Sequence, residues 1–322
     1  MPETALPDVA ASRAGDHEPL CLACGSQDSE LWAEATDIEY CTSDRAYAYL
    51  RCKACDCLWI DPVPADSLEA IYPSNYYSYS GEDPSFIGRV KNALDRRVFR
   101  ALVSEIPGRK LRALDIGGGS GSALDILQQA DARIHDTVVL DMDDGAKRIA
   151  ESRGHDFVHG RIEDYAPDGL YDLVLMLNLI EHVANPAEVL RKVTSLLKPG
   201  GRIIVKTPNW RSLDHYLFRH QSWGGYHCPR HWVLWTMPGF RILVESCGLE
   251  VVSAKFTQGA PFWAISVLNI LNRAGFVSVT AQRPISSHPL LGPLCGIFAV
   301  FDYLRKPFSN CSQMVFILTR SD

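Results

Sequence analysis

Leu111-Arg-Ala-Leu-Asp-Ile-Gly-Gly-Gly-Ser-Gly-Ser122 decides how the rest of the chain is read. Leu111 to Leu114 have the apolar character of a short buried strand, and Asp115 closes it. Gly117, Gly118, Gly119 and Gly121 follow, and Ser122 to Gln129 then show helical spacing, with Leu124 and Leu127 on one face. A strand, a glycine turn and a helix make a nucleotide-binding corner. Glycine lets the backbone come close to a ligand, and a helix N-terminus offers free N–H groups.

A dinucleotide site of the G-x-G-x-x-G type counted from Gly117 and Gly119 requires its third glycine at position 122, where Ser122 stands. The observed pattern is acid-x-Gly-x-Gly-x-Gly, at Asp115, Gly117, Gly119 and Gly121. This pattern resembles the class I S-adenosylmethionine-dependent methyltransferases, and a carboxylate ahead of the turn suits a ligand that carries an ammonium group. Two further corners share the resemblance. Asn178-Leu-Ile-Glu-His-Val183 is similar to the end of the fourth strand in ubiquinone-type and related small-molecule methyltransferases, and Leu196-Leu-Lys-Pro-Gly-Gly201 is similar to the turn before their fifth strand.

The resemblance implies an α/β fold: a Rossmann-like, seven-stranded class I methyltransferase sheet. Its strands are expected at 111–114, 137–140, 156–158, 171–177, 202–207, 249–256 and 313–319, the last two forming an antiparallel edge pair. It also implies S-adenosyl-L-methionine as cofactor. Asp141, with Met142 beside it, ends the second strand where a ribose presents two hydroxyls, and Asp143 is its neighbour and substitute. Ile162 would pack on the adenine and Glu163 or a backbone group would meet its amine, with Arg161 standing where many relatives carry an acid. Asn178 would face the methionine part, and His182 sits where a base beside the transferring methyl is plausible.

Composition agrees with a globular protein: 322 residues, 47% hydrophobic, net charge −6, which argues against a general nucleic-acid binder. Residues 1–18 are polar, contain two prolines and lack an apolar core, so a disordered tail rather than a signal peptide is expected, and a cytoplasmic location with it. Cys21-Leu-Ala-Cys24 and Cys52-Lys-Ala-Cys55 are two C-x2-C knuckles with 27 residues between them. Each lets two thiolates converge, and together they predict a tetrahedral, structural Zn2+ site in a zinc ribbon over 19–60. Cys41 and Cys57 are spare, and Cys57 could replace Cys55 only by breaking the knuckle.

Residues 61–100 read as a linker with helices, including the aromatic run Tyr72–Tyr79 and a helix from Phe86 to Leu102 with basic residues on its outer face. Residues 101–256 would form the cofactor domain. After the fifth strand a long connection carries Trp210, Trp223, Trp232 and Trp235 with His215, His220, His227 and His231. A segment of this length is usually functional. Gln221 to Trp232 resembles the Pro-x-His segment of methyltransferases that join a zinc-binding N-terminus to this fold. His227, Arg230 and His231 are therefore acceptor-site candidates, and His227 and His231 rival His182 as base. Pro229 between them spoils a helical metal pair.

Residues 257–322 hold a hydrophobic helical insertion and the last strand. Its apolar runs are shorter than the ~20 residues a spanning helix needs, leaving a lid, a homodimer surface or a peripheral membrane contact. The expected activity is methyl transfer to a small-molecule acceptor such as a sugar, polyketide, quinone or other secondary metabolite. A zinc-ribbon nucleic-acid methyltransferase is disfavoured by a ribbon with only Arg45, Arg51 and Lys53 as basic residues. A non-catalytic binder of the same cofactor stays open.

Overall fold

The computed structural model describes residues 19–73, 75–76, 86–220 and 222–321. The expected 1–18 tail and the later part of the Tyr72–Tyr79 run lie outside them. In chain order the elements are β1 Ser29–Ala35, β2 Tyr47–Cys52, β3 Leu58–Asp61, α1 Leu68–Ile71, α2 Phe86–Val103, β4 Leu111–Ile116, α3 Ser122–Ala130 and β5 Ile134–Asp141. They continue with α4 Asp144–Ser152, β6 Asp156–His159, β7 Tyr171–Leu177, α5 Pro186–Ser195, β8 Leu197–Pro208, α6 Leu213–Phe218 and β9 Val233–Leu234. The chain closes with α7 Met237–Ser246, β10 Leu249–Thr257, α8 Ala260–Arg273, α9 Leu291–Arg305 and β11 Gln313–Arg320.

Seven strands form one sheet in the order β10-β11-β8-β7-β4-β5-β6. β6, β5, β4, β7 and β8 are parallel, and β11 runs antiparallel to both β8 and β10. All seven expected strands are present in the class I methyltransferase arrangement. The central strands read as continuous apolar runs because helices cover both sheet faces. Leu114, Ile116, Val174, Met176, Ile203 and Val205 pack in one buried cluster. Their alternate neighbours Ala113, Leu173, Leu175 and Ile204 pack in another, as the two-residue strand period requires.

Local chemistry sets the helix starts. Asn185 caps α5, its side chain accepting from the Glu188 N–H, and Pro186 occupies the first turn. Asp143 caps α4 through the Gly145 N–H at 2.8 Å. The Lys198-Pro-Gly-Gly201 segment is not a free turn. It belongs to β8, whose register against β7 shifts between Tyr171 and Leu173, and Gly200 takes a φ of 76° there.

The second sheet, β1-β2-β3-β9, is antiparallel. β9 comes from the long connection after β8, so the cysteine-bearing ribbon is stitched to the main body. Leu50, Cys52, Cys55, Cys57 and Trp59 share one buried cluster with Val233, Trp235 and Phe240. The inserted helices α8 and α9 pack as a pair, with Trp263 stacked on Phe298 at 5.2 Å between ring centroids.

Candidate functional site

The loops after β4, β5, β6 and β7 all emerge at the C-terminal ends of parallel strands. The chain runs outward from β4 through β5 to β6 and then returns to β7 on the other flank of β4. A crevice at such a switch point is where open α/β sheets bind ligands.

In the first loop Gly117, Gly119 and Gly121 take φ of 70°, 52° and 77°. Side chains are excluded by contact as well as by conformation. A Cβ on Gly118 would lie 2.6 Å from the Asp115 carboxyl, and one on Gly121 would lie 2.4 Å from the His155 ring. His155 is held beneath the loop by Thr137 at 2.9 Å and Asp125 at 3.2 Å. Nothing local in the sequence pointed to it. Asp141 Oδ2 accepts from the Gly119 N–H at 2.8 Å while its Oδ1 accepts from the Asp143 N–H at 2.9 Å. This carboxylate joins the first two loops. Asp115 is buried, and burial, reinforced by the negative charge of Asp141, raises its pKa to about 8.

The third loop buries Ile162. Glu163 is half-buried and takes an ion pair from Arg161 at 3.1 Å. Met142 is exposed at the sheet edge. After β7, Asn178 adopts the left-handed region with φ 56°, and its Oδ1 accepts from Gln313 Nε2 at 3.0 Å. Asparagine tolerates that conformation better than most residues. A cleft of about 760 Å³ lies along the edge strand β6, lined by Arg112, His155, Phe157, Arg161 and Tyr165 among others. It is an open groove where the sheet lacks a further strand, and Asp115, the four glycines and Asp141 do not line it.

One tight turn, Ile180–His182, follows Asn178 and turns into the histidine cluster. His182 and His231 lie 4.8 Å apart between ring centroids, His227 and His231 5.0 Å, and His182 and His227 6.3 Å. The three histidines named from sequence therefore converge. The Trp232 N–H donates to the Glu181 carbonyl at 2.7 Å, which ties their loop to the end of β7.

His182 is half-buried, with Nδ1 2.9 Å from the Arg230 carbonyl and 2.9 Å from the Tyr72 hydroxyl. A carbonyl only accepts, so the proton belongs on Nδ1 and Nε2 keeps its lone pair. His231 Nδ1 similarly meets the Gly225 carbonyl at 2.8 Å. Burial, with the neighbouring His227, lowers His182 to about 3, and burial holds His231 well below the usual histidine range. Both rings are neutral near pH 7. Glu181 is wholly buried, and burial raises it to about 8. Its Oε2 accepts from Thr207 at 2.9 Å, while Oε1 finds no partner among the described residues.

His227 sits in the left-handed region, φ 40°, between two polar groups. Its Nδ1 lies 2.8 Å from Glu39 Oε2 and its Nε2 2.9 Å from the Tyr76 hydroxyl. Arg230 does not face an acceptor space as its sequence position suggested. It is fully buried, paired to Asp37 at 2.8 Å and laid over Tyr40 at 4.5 Å. Glu39 and Asp37 come from the connection between β1 and β2.

The four ribbon cysteines converge. Cys21 and Cys55 sulfurs are 3.6 Å apart, as are those of Cys24 and Cys52, and all four lie within 4.8 Å of one another. Cys57 is excluded from this group, since its sulfur faces Gly239, where a Cβ would lie 2.3 Å away.

The fold and the loop geometry define an α/β protein with a glycine-loop crevice at the sheet's switch point and a histidine cluster at its mouth. A family model described as a methyltransferase domain matches residues 86–254, more than half of the chain, and the chain belongs to that family. It is 32% identical over 117 residues to a ubiquinone biosynthesis O-methyltransferase of Vibrio vulnificus (strain YJ016), a match covering 33% of this chain and 47% of that protein. The aligned part thus spans about half of that relative's length. A ubiquinone biosynthesis O-methyltransferase of Bradyrhizobium diazoefficiens is 27% identical over 205 residues, 57% of this chain and 77% of that protein. Among solved structures, coclaurine N-methyltransferase bound to N-methylheliamine and SAH is similar in fold, with a TM-score of 0.50 and 14% identity over 80% of this chain and 82% of that one.

Proposed function

We propose that this chain is an S-adenosylmethionine-dependent methyltransferase that methylates a small-molecule acceptor on oxygen, with His182 as the base. The observation that carries the reading is the end of β7. The strand that pairs with β4, which carries the glycine loop, is followed directly by Asn178 and, four residues on, by His182 of the histidine cluster, which supports a cofactor site and an acceptor site side by side. The O-methyltransferase relatives support oxygen as the accepting atom.

The donor set fits the cofactor. Asp115, buried with no cationic partner among the described residues, would hold an ammonium once ionised, and the glycines leave the backbone open to close approach. Asp141, already anchored by two N–H groups, would accept from the ribose hydroxyls. Met142, Ile162 and Glu163 would border the adenine and Asn178 the methionine part. When bound, the cofactor supplies a methyl group activated on a sulfonium. The protein's own task is then alignment and exclusion of water, a contribution on the order of 7–11 kcal/mol. A hydroxyl acceptor must also lose its proton. We assign that step to His182 Nε2; the reading is supported by the Nδ1 proton being committed to a carbonyl and by His182 being more exposed than His227 or His231. The four thiols of Cys21, Cys24, Cys52 and Cys55 would hold a Zn2+ ion, and four thiolates leave it no open position for chemistry.

The test pairs calorimetric titration of S-adenosylmethionine with methyl-transfer assays on a panel of phenols, sugars and hydroxylated quinones. His182→Ala should lower turnover by about 10²–10⁴-fold with cofactor affinity nearly intact. Unchanged turnover would remove His182 as base, and a wild-type protein that does not bind the cofactor would sink the assignment itself.

A further inference from the structure

The insertion between β10 and β11 leaves one helix face without a partner among the described residues. α9 rests on α8 through Trp263 and Phe298, and no described residue covers its other side. Ile297, Val300 and Leu304 are 63%, 61% and 66% exposed, and Phe308 just beyond the helix is 87% exposed. Their spacing of three, four and four residues puts them in one row. Phe276, in the turn after α8, is 80% exposed. Isolated exposed apolar residues are ordinary, but an aligned row of large ones marks a contact surface.

Charge indicates what covers it. Across residues 258–312 the charged side chains are Arg273, Arg283, Arg305 and Lys306 against the single acid Asp302. Asp302 is fully buried and occupied by the Gly259 N–H, Trp263 and Arg305. Arg305 is spent on Asp302 with a side chain only 9% exposed, so the surface of the insertion offers the exposed cations Arg283 and Lys306 and no carboxylate, on a chain whose net charge is −6. We propose that the outer face of α9 docks on an anionic membrane surface, its apolar row entering the lipid interface and the flanking basic residues meeting the headgroups. A second copy of the chain would set like charges against each other across the same contact, whereas anionic lipid opposes them.

The helix lies on the bilayer rather than through it. Its fifteen residues span about 22 Å, and no helix among the described residues is long and apolar enough to cross a membrane. Docking would also set the site close to lipid. The other side of the insertion packs on the histidine loop, where a Cβ on Gly224 would lie 2.7 Å from Ile265, so an apolar acceptor could be taken up from the bilayer. The docking surface itself does not depend on the methyl-transfer reading.

Flotation of the full chain with vesicles tests it. Vesicles containing phosphatidylglycerol should carry the protein and pure phosphatidylcholine vesicles should carry much less, with binding weakened by high salt. Lys306→Gln and Arg283→Gln should each lower partitioning onto anionic vesicles by about fivefold. Ile297→Asp combined with Leu304→Asp should abolish binding without changing the melting temperature, because both positions are exposed. Protein that stays in the soluble fraction with every vesicle, or a double variant that floats like wild type, would overturn the proposal. A concentration-dependent dimer that the double variant abolishes, without vesicle binding, would assign the face to a second copy instead.

Discussion

His227 Nδ1 lies 2.8 Å from Glu39 Oε2, although 188 residues separate the two in sequence. The contact joins the β1–β2 connection to the histidine loop and fixes which nitrogen of His227 faces Tyr76. Glu39 is buried and contacts the ring directly, so its role would be to position it. Glu39→Gln keeps the volume but lets the side-chain amide present a donor to Nδ1, which turns or retautomerises the imidazole. Turnover should fall on the order of a hundredfold, the scale of a small misplacement in a reacting geometry. The affinity for S-adenosylmethionine should hold. The imidazole 15N shifts of His227 give a readout independent of activity, and shifts unchanged in the variant would remove Glu39 from this role.

Much of the frame was readable from the chain alone, for a definite reason. β4 and β7 are buried on both faces and are apolar after Arg112 and Asp172 near their starts, and each apolar run is closed by a proposed crevice residue, Asp115 near the end of β4 and Asn178 after β7. The C-x2-C spacings are local and survive translation into space, as the four converging sulfurs show. What failed to show were relations between distant segments. Glu39 and Asp37 sit in a stretch whose alternation reads as short antiparallel strands, and nothing in it announces their partners His227 and Arg230, more than 180 residues away. Arg230 stands among the acceptor candidates through the resemblance of the Gln221–Trp232 segment alone. Only the buried carboxylate of Asp37 explains why it can lie inside. The Lys198–Gly201 segment read as a turn because Pro and Gly punctuate loops, yet a register shift in the sheet absorbs it.

Asp115 makes cofactor affinity depend on pH. Its pKa in the ligand-free protein is raised to about 8, chiefly by burial, so at pH 7 it is mostly protonated. An ammonium group arriving beside it favours the ionised form and expels the proton. Affinity for S-adenosylmethionine should therefore rise with pH up to about 8 and level off above it. Calorimetry at pH 7 in buffers of different ionisation enthalpy should show proton release on binding. Asp115→Asn should bind weakly and lose both the slope and the release. A wild-type affinity that stays flat between pH 6.5 and 8.5 would mean Asp115 does not meet the ammonium.

Buried titratable groups also set the pH of greatest stability. His182 and His215 are lowered to about 3, mainly by burial, and burial also holds His231 well below the usual histidine range. The unfolded chain takes up protons on these rings below about pH 6.5 while the folded chain does not, so stability falls as pH drops. Asp115 and Glu181 act in the opposite sense. Both are raised to about 8 and stay protonated in the folded state, whereas the unfolded chain ionises them above about pH 4. Stability therefore falls as pH rises from 4 toward 8 on their account. Each group contributes up to about 1.4 kcal/mol per pH unit where the two states differ by a proton. With three rings opposing two carboxyls below pH 6.5, and the carboxyls alone above it, the maximum is expected near pH 6.5. Thermal unfolding from pH 4 to 9 checks this. Glu181→Gln should flatten the limb above pH 6.5, and a maximum at pH 8 or higher would contradict it.

The cysteine cluster supplies the last prediction, because the ribbon that carries it also carries Glu39. Cys21, Cys52 and Cys55 are buried and belong to the cluster that contains Val233, Trp235 and Phe240, and β3 pairs directly with β9 ahead of α7. A Zn2+ ion bound by the four thiolates would stabilise the folded state alone, since the unfolded chain does not hold the sulfurs together. Its removal by a strong chelator, or Cys24→Ser, should lower the melting temperature and release about one zinc per chain by metal analysis. Turnover should drop in parallel as Glu39 loosens from His227. Cofactor affinity should change little, because Asp115, the glycine loop and Asp141 hang from β4 and β5 on the far side of β7 from β8. If affinity and turnover collapsed together at unchanged melting temperature, the cluster would belong to the cofactor crevice rather than to the frame that aims the histidines.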